Sequence, residues 1–150
     1  MKIIRNGDKL VLQLGGREKH LFFELLKLYP CITEAQRSKK PAQMLDSSER
    51  LLAEALAEQR TEYKKQLEAF LADPLRFEKT DTGWRFSVST VESEWLLQIL
   101  NDVRVGSWIR LGSPEEQLEI KLLNENTAPH FWAMELAGHF QMGLLEALNR

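Results

Sequence analysis

Arg104 is the side chain with the most chemistry to account for. Helical spacing puts it near Leu97, Leu100 and Trp108, at the margin of an apolar arc, where an unpaired guanidinium is costly. Asn101 is its i−3 neighbour and Asp102 lies on the same helix. One role for this group is an anchor for a small anionic ligand or a peptide carboxylate. The plainer role is a structural arginine that ties helix to sheet or lies at an oligomer interface. Glu135 and His139 stand at i and i+4, but a single such pair is the pattern of an exposed ion pair, and no metal site is assigned. Cys31 is alone, which excludes an intrachain disulfide and a cysteine-based zinc site. Phosphate-loop, G-x-S-x-G and H-E-x-x-H spacings are absent from the chain, so no catalytic residue and no cofactor is assigned. Arg37, Lys39 and Lys40 form a short basic cluster without interleaved aromatic residues. It reads as a solvated loop rather than a phosphate or base-stacking contact.

The composition is that of an ordinary globular domain: 150 residues, 43% hydrophobic and 28% charged. A formal charge of −2 gives no electrostatic reason to expect nucleic acid or an anionic membrane as partner. The N-terminus lacks the apolar run of a signal peptide, and no stretch approaches membrane-span length. A cytoplasmic location follows as the expectation.

The element that must position Arg104 is the stretch Trp84–Gly112. Trp84, Phe86 and Val88 alternate as a half-buried strand. Ser89 or Thr90 then caps a helix that ends at Arg110 and Gly112. At 100° per residue, Val91, Trp95, Leu96, Ile99, Leu100, Val103, Gly106, Ile109 and Leu111 fill an arc of roughly 200°. Glu94, Gln98, Asn101 and Asp102 form the polar strip. A helix so widely apolar is expected to be covered on several sides.

Around this spine, Met1–Leu14 reads as a hairpin turned on Asn6-Gly7, with Arg5 opposite Asp8 and Ile3 opposite Leu10. That pattern places Met1, Ile3, Leu10, Leu12 and Leu14 on one face. Arg17–Tyr29 is a first helix with a stripe of Leu21, Phe22, Leu25, Leu28 and Tyr29, beside which His20 is a partly exposed structural residue. Ser47 or Ser48 caps a long helix, Arg50 to Ala72, whose stripe is Leu52, Leu56, Gln59, Tyr63, Leu67 and Phe70. Leu75–Thr80 is a strand pairing Phe77 with Phe86 and Glu78 with Arg85. Ser113-Pro114-Glu115-Glu116 is a capping box, predicting a short helix, although residues 117–123 also satisfy a strand. Asn126 or Thr127 caps a last helix, Pro129 to about Leu148. Its apolar arc is again wide, and Gly138, Gly143 and Gly106 leave room for another element to approach closely.

Leu100-Asn101-Asp102-Val103-Arg104-Val105-Gly106, followed by Arg110-Leu111-Gly112, resembles a motif of an uncharacterised bacterial domain-of-unknown-function family. Val103 and Val105 replace its commoner leucines. The likeness extends to the N-terminal hairpin with its helix and to the aromatic C-terminal helix. Genes of that family often neighbour the gene for the Clp protease adaptor ClpS, which implies a link to regulated proteolysis. Asn101, Asp102 and Arg104 carry over as the family's polar group.

These readings converge on one α+β domain spanning 1–150, two antiparallel hairpins in a single four-stranded sheet packed on four to five helices. The expected function is a non-enzymatic interaction or regulatory module whose partner is a protein, either a second copy in a homodimer or a protease adaptor. The alternative is a small-molecule-binding protein or enzyme with a pocket at Asn101 and Arg104. The third reading is a nucleic-acid-binding regulator resting on Arg37, Lys39 and Lys40 alone.

Overall fold

Gly7 takes φ 66° and opens a two-residue loop, Gly7-Asp8, between strands β1 (Lys2–Asn6) and β2 (Lys9–Leu14). A positive φ at the first loop position alone is the requirement of a type II′ hairpin turn. Asn6 therefore pairs with Lys9, Arg5 with Leu10 and Ile3 with Leu12, not in the register centred on Asn6-Gly7. Moving the loop by one residue shifts the register by two. A two-residue slip leaves every side chain on its own face, so Ile3, Leu10, Leu12 and Leu14 are buried together as expected. The charge pair expected between Arg5 and Asp8 is not made. Arg5 Nη1 donates instead to the carbonyls of Leu148 at 3.0 Å and Arg150 at 3.2 Å.

The computed structural model describes residues 1–32 and 46–150, so the Arg37–Lys40 cluster lies outside the described residues. Strands β3 (Glu78–Thr80) and β4 (Gly83–Ser89) complete one antiparallel sheet in the order β1-β2-β4-β3. The second hairpin keeps the expected register: Glu78 pairs with Arg85, and their side chains meet at 2.8 Å. Phe77 packs on Phe86 with ring centroids 5.1 Å apart. The strand nevertheless starts three residues late. Asp73 accepts the Leu75 amide at 3.0 Å, and this side-chain turn holds Pro74–Arg76 out of the sheet. Leu75 is consequently 94% exposed. Before β3 begins, Arg76 donates to the Ser87 carbonyl at 3.0 Å and pairs with Glu92 at 2.7 Å. On the β1 edge, Arg150 donates to Ile3 O at 3.0 Å. A guanidinium thus occupies a main-chain acceptor on each outer edge, which blunts strand addition.

Helix α1 (Gly16–Leu26) is shorter than its sequence period, so Leu28 points to solvent while Leu26 and Tyr29 are buried. Helix α2 (Ser47–Ala72) is capped by Asp46, not by a serine; its carboxylate accepts the Glu49 amide at 2.8 Å. Only Leu67 and Phe70 of its apolar stripe are buried, and Leu51 and Leu52 are 67% and 61% exposed. Helix α3 (Thr90–Arg110) follows β4 without a loop, and helix α4 (Ala128–Leu148) closes the domain. Among the described residues no helix is long and apolar enough to cross a membrane.

No helix forms at Ser113–Glu116. The end of α3 explains why: Gly112 takes φ 91° and donates to Ile109 O, while Ser113 donates to Trp108 O. This is the six-to-one and five-to-two pattern of a Schellman cap. It leaves Ser113 at φ 53°, unlike a helix N-cap, and the Pro114 carbonyl is taken by the Trp108 indole at 2.9 Å. The ambiguous segment 117–123 resolves as a short 3-10 turn, Ile120–Leu122, with both apolar residues exposed.

The core lies between the sheet and the α3–α4 pair, with Phe22, Phe86, Leu96, Ile99, Leu100, Val103 and Leu144 fully covered. Two glycines set its closest approaches. A Cβ at Gly106 would collide with Cys31, and one at Gly143 would lie 2.6 Å from Met1 Cε. The room they leave is therefore filled from within the same chain.

Candidate partner-binding surface

The helix that carries Asn101, Asp102 and Arg104 is fixed first at its N-terminus. Ser89 accepts the Glu92 amide at 3.1 Å and Glu92 accepts the Ser89 amide at 2.9 Å, a reciprocal capping box. Burial raises the Glu92 carboxyl, but its hydrogen bonds from Arg76 and Ser89 outweigh this and hold it below the ordinary range. Strand β4 and this box together set the rotation of α3. Trp95, Leu96, Ile99, Leu100, Val103 and Gly106 face the interior as their spacing predicts. Val91, placed in the arc by its spacing, sits in the first turn and is exposed, and Trp108 is at the rim.

The three candidate residues are divided by that rotation. Asp102, expected in the polar strip, is 4% exposed and accepts the Cys31 amide at 2.6 Å. A carboxylate accepting a buried amide is a charge-assisted bond, and here it holds the chain after α1 against α3 directly over Gly106. Cys31 is sealed in the same contact, its Sγ donating to Leu28 O at 3.2 Å. Burial, with the Asp102 charge beside it, pushes the Cys31 thiol up to about 11. Such a thiol is protonated and shielded, the opposite of a nucleophile.

Asn101 and Arg104 point the other way, to the surface. Arg104 Nη2 donates to Asn101 Oδ1 at 2.9 Å, and Gln141 of α4 reaches the same oxygen at 3.5 Å. A Cβ at Gly138 would lie 3.8 Å from Arg104 Cδ, so the arginine stem crosses the seam between the two helices at the glycine. Leu97, Asn101, Arg104 and Trp108 recur at i, i+4, i+7 and i+11, forming one stripe that is exposed at Asn101, Arg104 and Trp108 and half-buried at Leu97. On α4, Met142 and Leu145 adjoin Gln141 and are exposed. The polar group is thus central and the apolar side chains flank it. At its foot is an open depression of about 400 Å³ lined by Glu94, Leu97, Gln98 and Asn101. That geometry presents donors and acceptors to a broad contact.

Gln141 carries no signal in the sequence that joins it to Asn101, because the α3–α4 register is a tertiary fact. Glu135 and His139 are both exposed, and no metal-spaced group of histidine, cysteine or carboxylate side chains occurs among the described residues. His20, expected to be partly exposed beside the α1 stripe, is exposed. No family model, curated protein or solved structure matches this chain.

Proposed function

We propose that this chain is a non-enzymatic, cytoplasmic interaction or regulatory module that binds a protein partner across the α3–α4 seam. One observation carries the reading: Arg104 and Gln141, from two adjacent helices, both donate to Asn101 Oδ1, flanked by half-buried Leu97 and exposed Trp108, Met142 and Leu145. A polar centre with apolar flanks is how a helix face combines specificity with buried area, and arginine is among the residues that most often dominate such contacts. The open depression supports a macromolecular partner over an enclosed ligand. The resemblance at 100–112 supports a partner in regulated proteolysis, a protease adaptor being the chemistry to look for. Self-association belongs to the same reading, since a second copy laid on the seam would cover Met142 and Leu145. The test is affinity purification with the native chain and with Arg104→Ala as baits, followed by mass spectrometry. A partner recovered near stoichiometry by the native chain and lost by Arg104→Ala is expected, with the urea midpoint unchanged. A partner retained by Arg104→Ala, or none with either bait, removes the seam from consideration.

A further inference from the structure

Three aromatic rings from three separate elements converge on one cation. Lys19 Nζ lies 3.7 Å from the Trp84 ring centroid, 4.7 Å from that of Phe23 and 5.6 Å from that of Phe77. Phe23 is one turn after Lys19 on α1, Phe77 precedes β3, and Trp84 is on β4 opposite Leu14. All four residues are half-buried, so the assembly opens to solvent. We propose that Phe23, Phe77 and Trp84 form a recognition box for an organic cation of the quaternary-ammonium class, held closed here by Lys19.

The two phenylalanine rings are placed by contacts that owe nothing to the lysine. Phe77 packs edge-on to Phe70 at 5.6 Å and tilts against Phe86 at 5.1 Å, both buried core residues. Phe23 meets Phe77 edge-on at 4.9 Å, and the pairing of β4 with β2 fixes the backbone of Trp84. Removing the cation therefore leaves the two phenylalanine walls standing, with Trp84 held at its backbone. Lys19 fits them unevenly: close to Trp84 and loose against Phe77. A primary ammonium is small and strongly hydrated, whereas a quaternary one is broader, sheds water more readily and touches several ring faces at once. Trp84 also lines an open cleft of about 480 Å³ with Thr80, Thr82 and Glu18, which leaves room beside the box for the rest of a ligand. The lysine is tethered through its own flexible stem, so it occupies the box at high effective concentration and acts as a built-in competitor. This site shares no residue with the α3–α4 seam, and its test is independent of that reading.

Lys19→Ala vacates the box, and tetramethylammonium is the probe, titrated while the Trp84 indole resonance is followed by NMR. The variant is expected to bind about tenfold more tightly than the native chain, and adding Trp84→Leu should abolish the response. Choline should bind the variant more tightly than 3,3-dimethylbutan-1-ol, its uncharged isostere. Trimethyllysine and phosphocholine then distinguish a modified protein side chain from a headgroup as the source of the cation. Should Lys19→Ala fail to fold, Lys19→Ser repeats the test. A folded variant that gives no saturable shift, or that binds the uncharged isostere equally well, overturns the proposal.

Discussion

Asp102 and Arg104 are two residues apart in sequence, yet the structure assigns them opposite kinds of work. Asp102 faces inward and satisfies the buried Cys31 amide, while Arg104 faces outward on the seam. Their substitutions should separate accordingly. Asp102→Ala would leave a buried donor without its charged acceptor, and about 2–3 kcal/mol of stability should be lost. Arg104→Ala removes an exposed side chain whose bond to Asn101 is surface-bound, and its effect should stay within about 0.5 kcal/mol. Urea unfolding of both variants measures the difference. Equal losses would mean that α3 does not turn Asp102 inward and Arg104 outward. Only the polar character of these residues was legible in the sequence. Helical spacing placed Asp102 beside Gln98 and Asn101, because the segment that follows α1 and packs over Gly106 has no local signal.

Helix α2 shows the limit of periodicity at the scale of an element. Its stripe from Leu52 to Phe70 is regular, and a regular stripe states which face is apolar without stating how far along the axis a neighbour extends. Among the described residues the stripe is buried at the C-terminal end, at Leu67 and Phe70. The backbone after α1 also contacts the helix midway, through Lys64 to Tyr29 O at 3.0 Å and Arg60 to Ile32 O at 3.4 Å. Two leucine-to-alanine changes on one helix should therefore differ widely. Leu67→Ala creates a cavity and should cost about 2–5 kcal/mol. Leu52→Ala, at an exposed site, should change stability by less than about 0.5 kcal/mol. Thermal or denaturant unfolding decides this, and a large loss at Leu52 would place a covering element over the first turns of α2.

For the whole molecule, the question is what covers the apolar residues left outside the core. Gly106 and Gly143, which the sequence offers as points of close approach, are used within the chain by Cys31 and Met1. Self-association therefore rests on the seam side chains, of which Met142 is 56% exposed. Two copies paired there would each bury Met142 and Leu145 around the Arg104 group, an arrangement that a two-fold axis makes self-complementary. Light scattering after size exclusion at micromolar concentration is expected to give the mass of two chains, falling to one with Leu145→Glu. A single-chain mass for the native protein at every dilution would leave a different protein as the partner of this surface.

Local rules determined most of the architecture. The strand-to-helix passage at Ser89, the Phe77–Phe86 register, the spine's inward face and the α+β class all follow from alternation, capping and helical period, which act within a few residues. The first hairpin shows how forgiving such rules are: its register was displaced by two, and the buried face was unchanged because side chains alternate with period two. Long-range packing decided the rest. Residues 113–116 have a capping-box sequence, yet the Schellman end of α3 and the Trp108 indole claim their backbone first. Asp102 is buried because a distant amide needed an acceptor. Gln141 reaches Asn101, and Phe23 and Phe77 meet Trp84 around Lys19, only because separate helices and strands are brought side by side. None of these contacts has a periodic trace in the chain, since each depends on how one element is rotated against another.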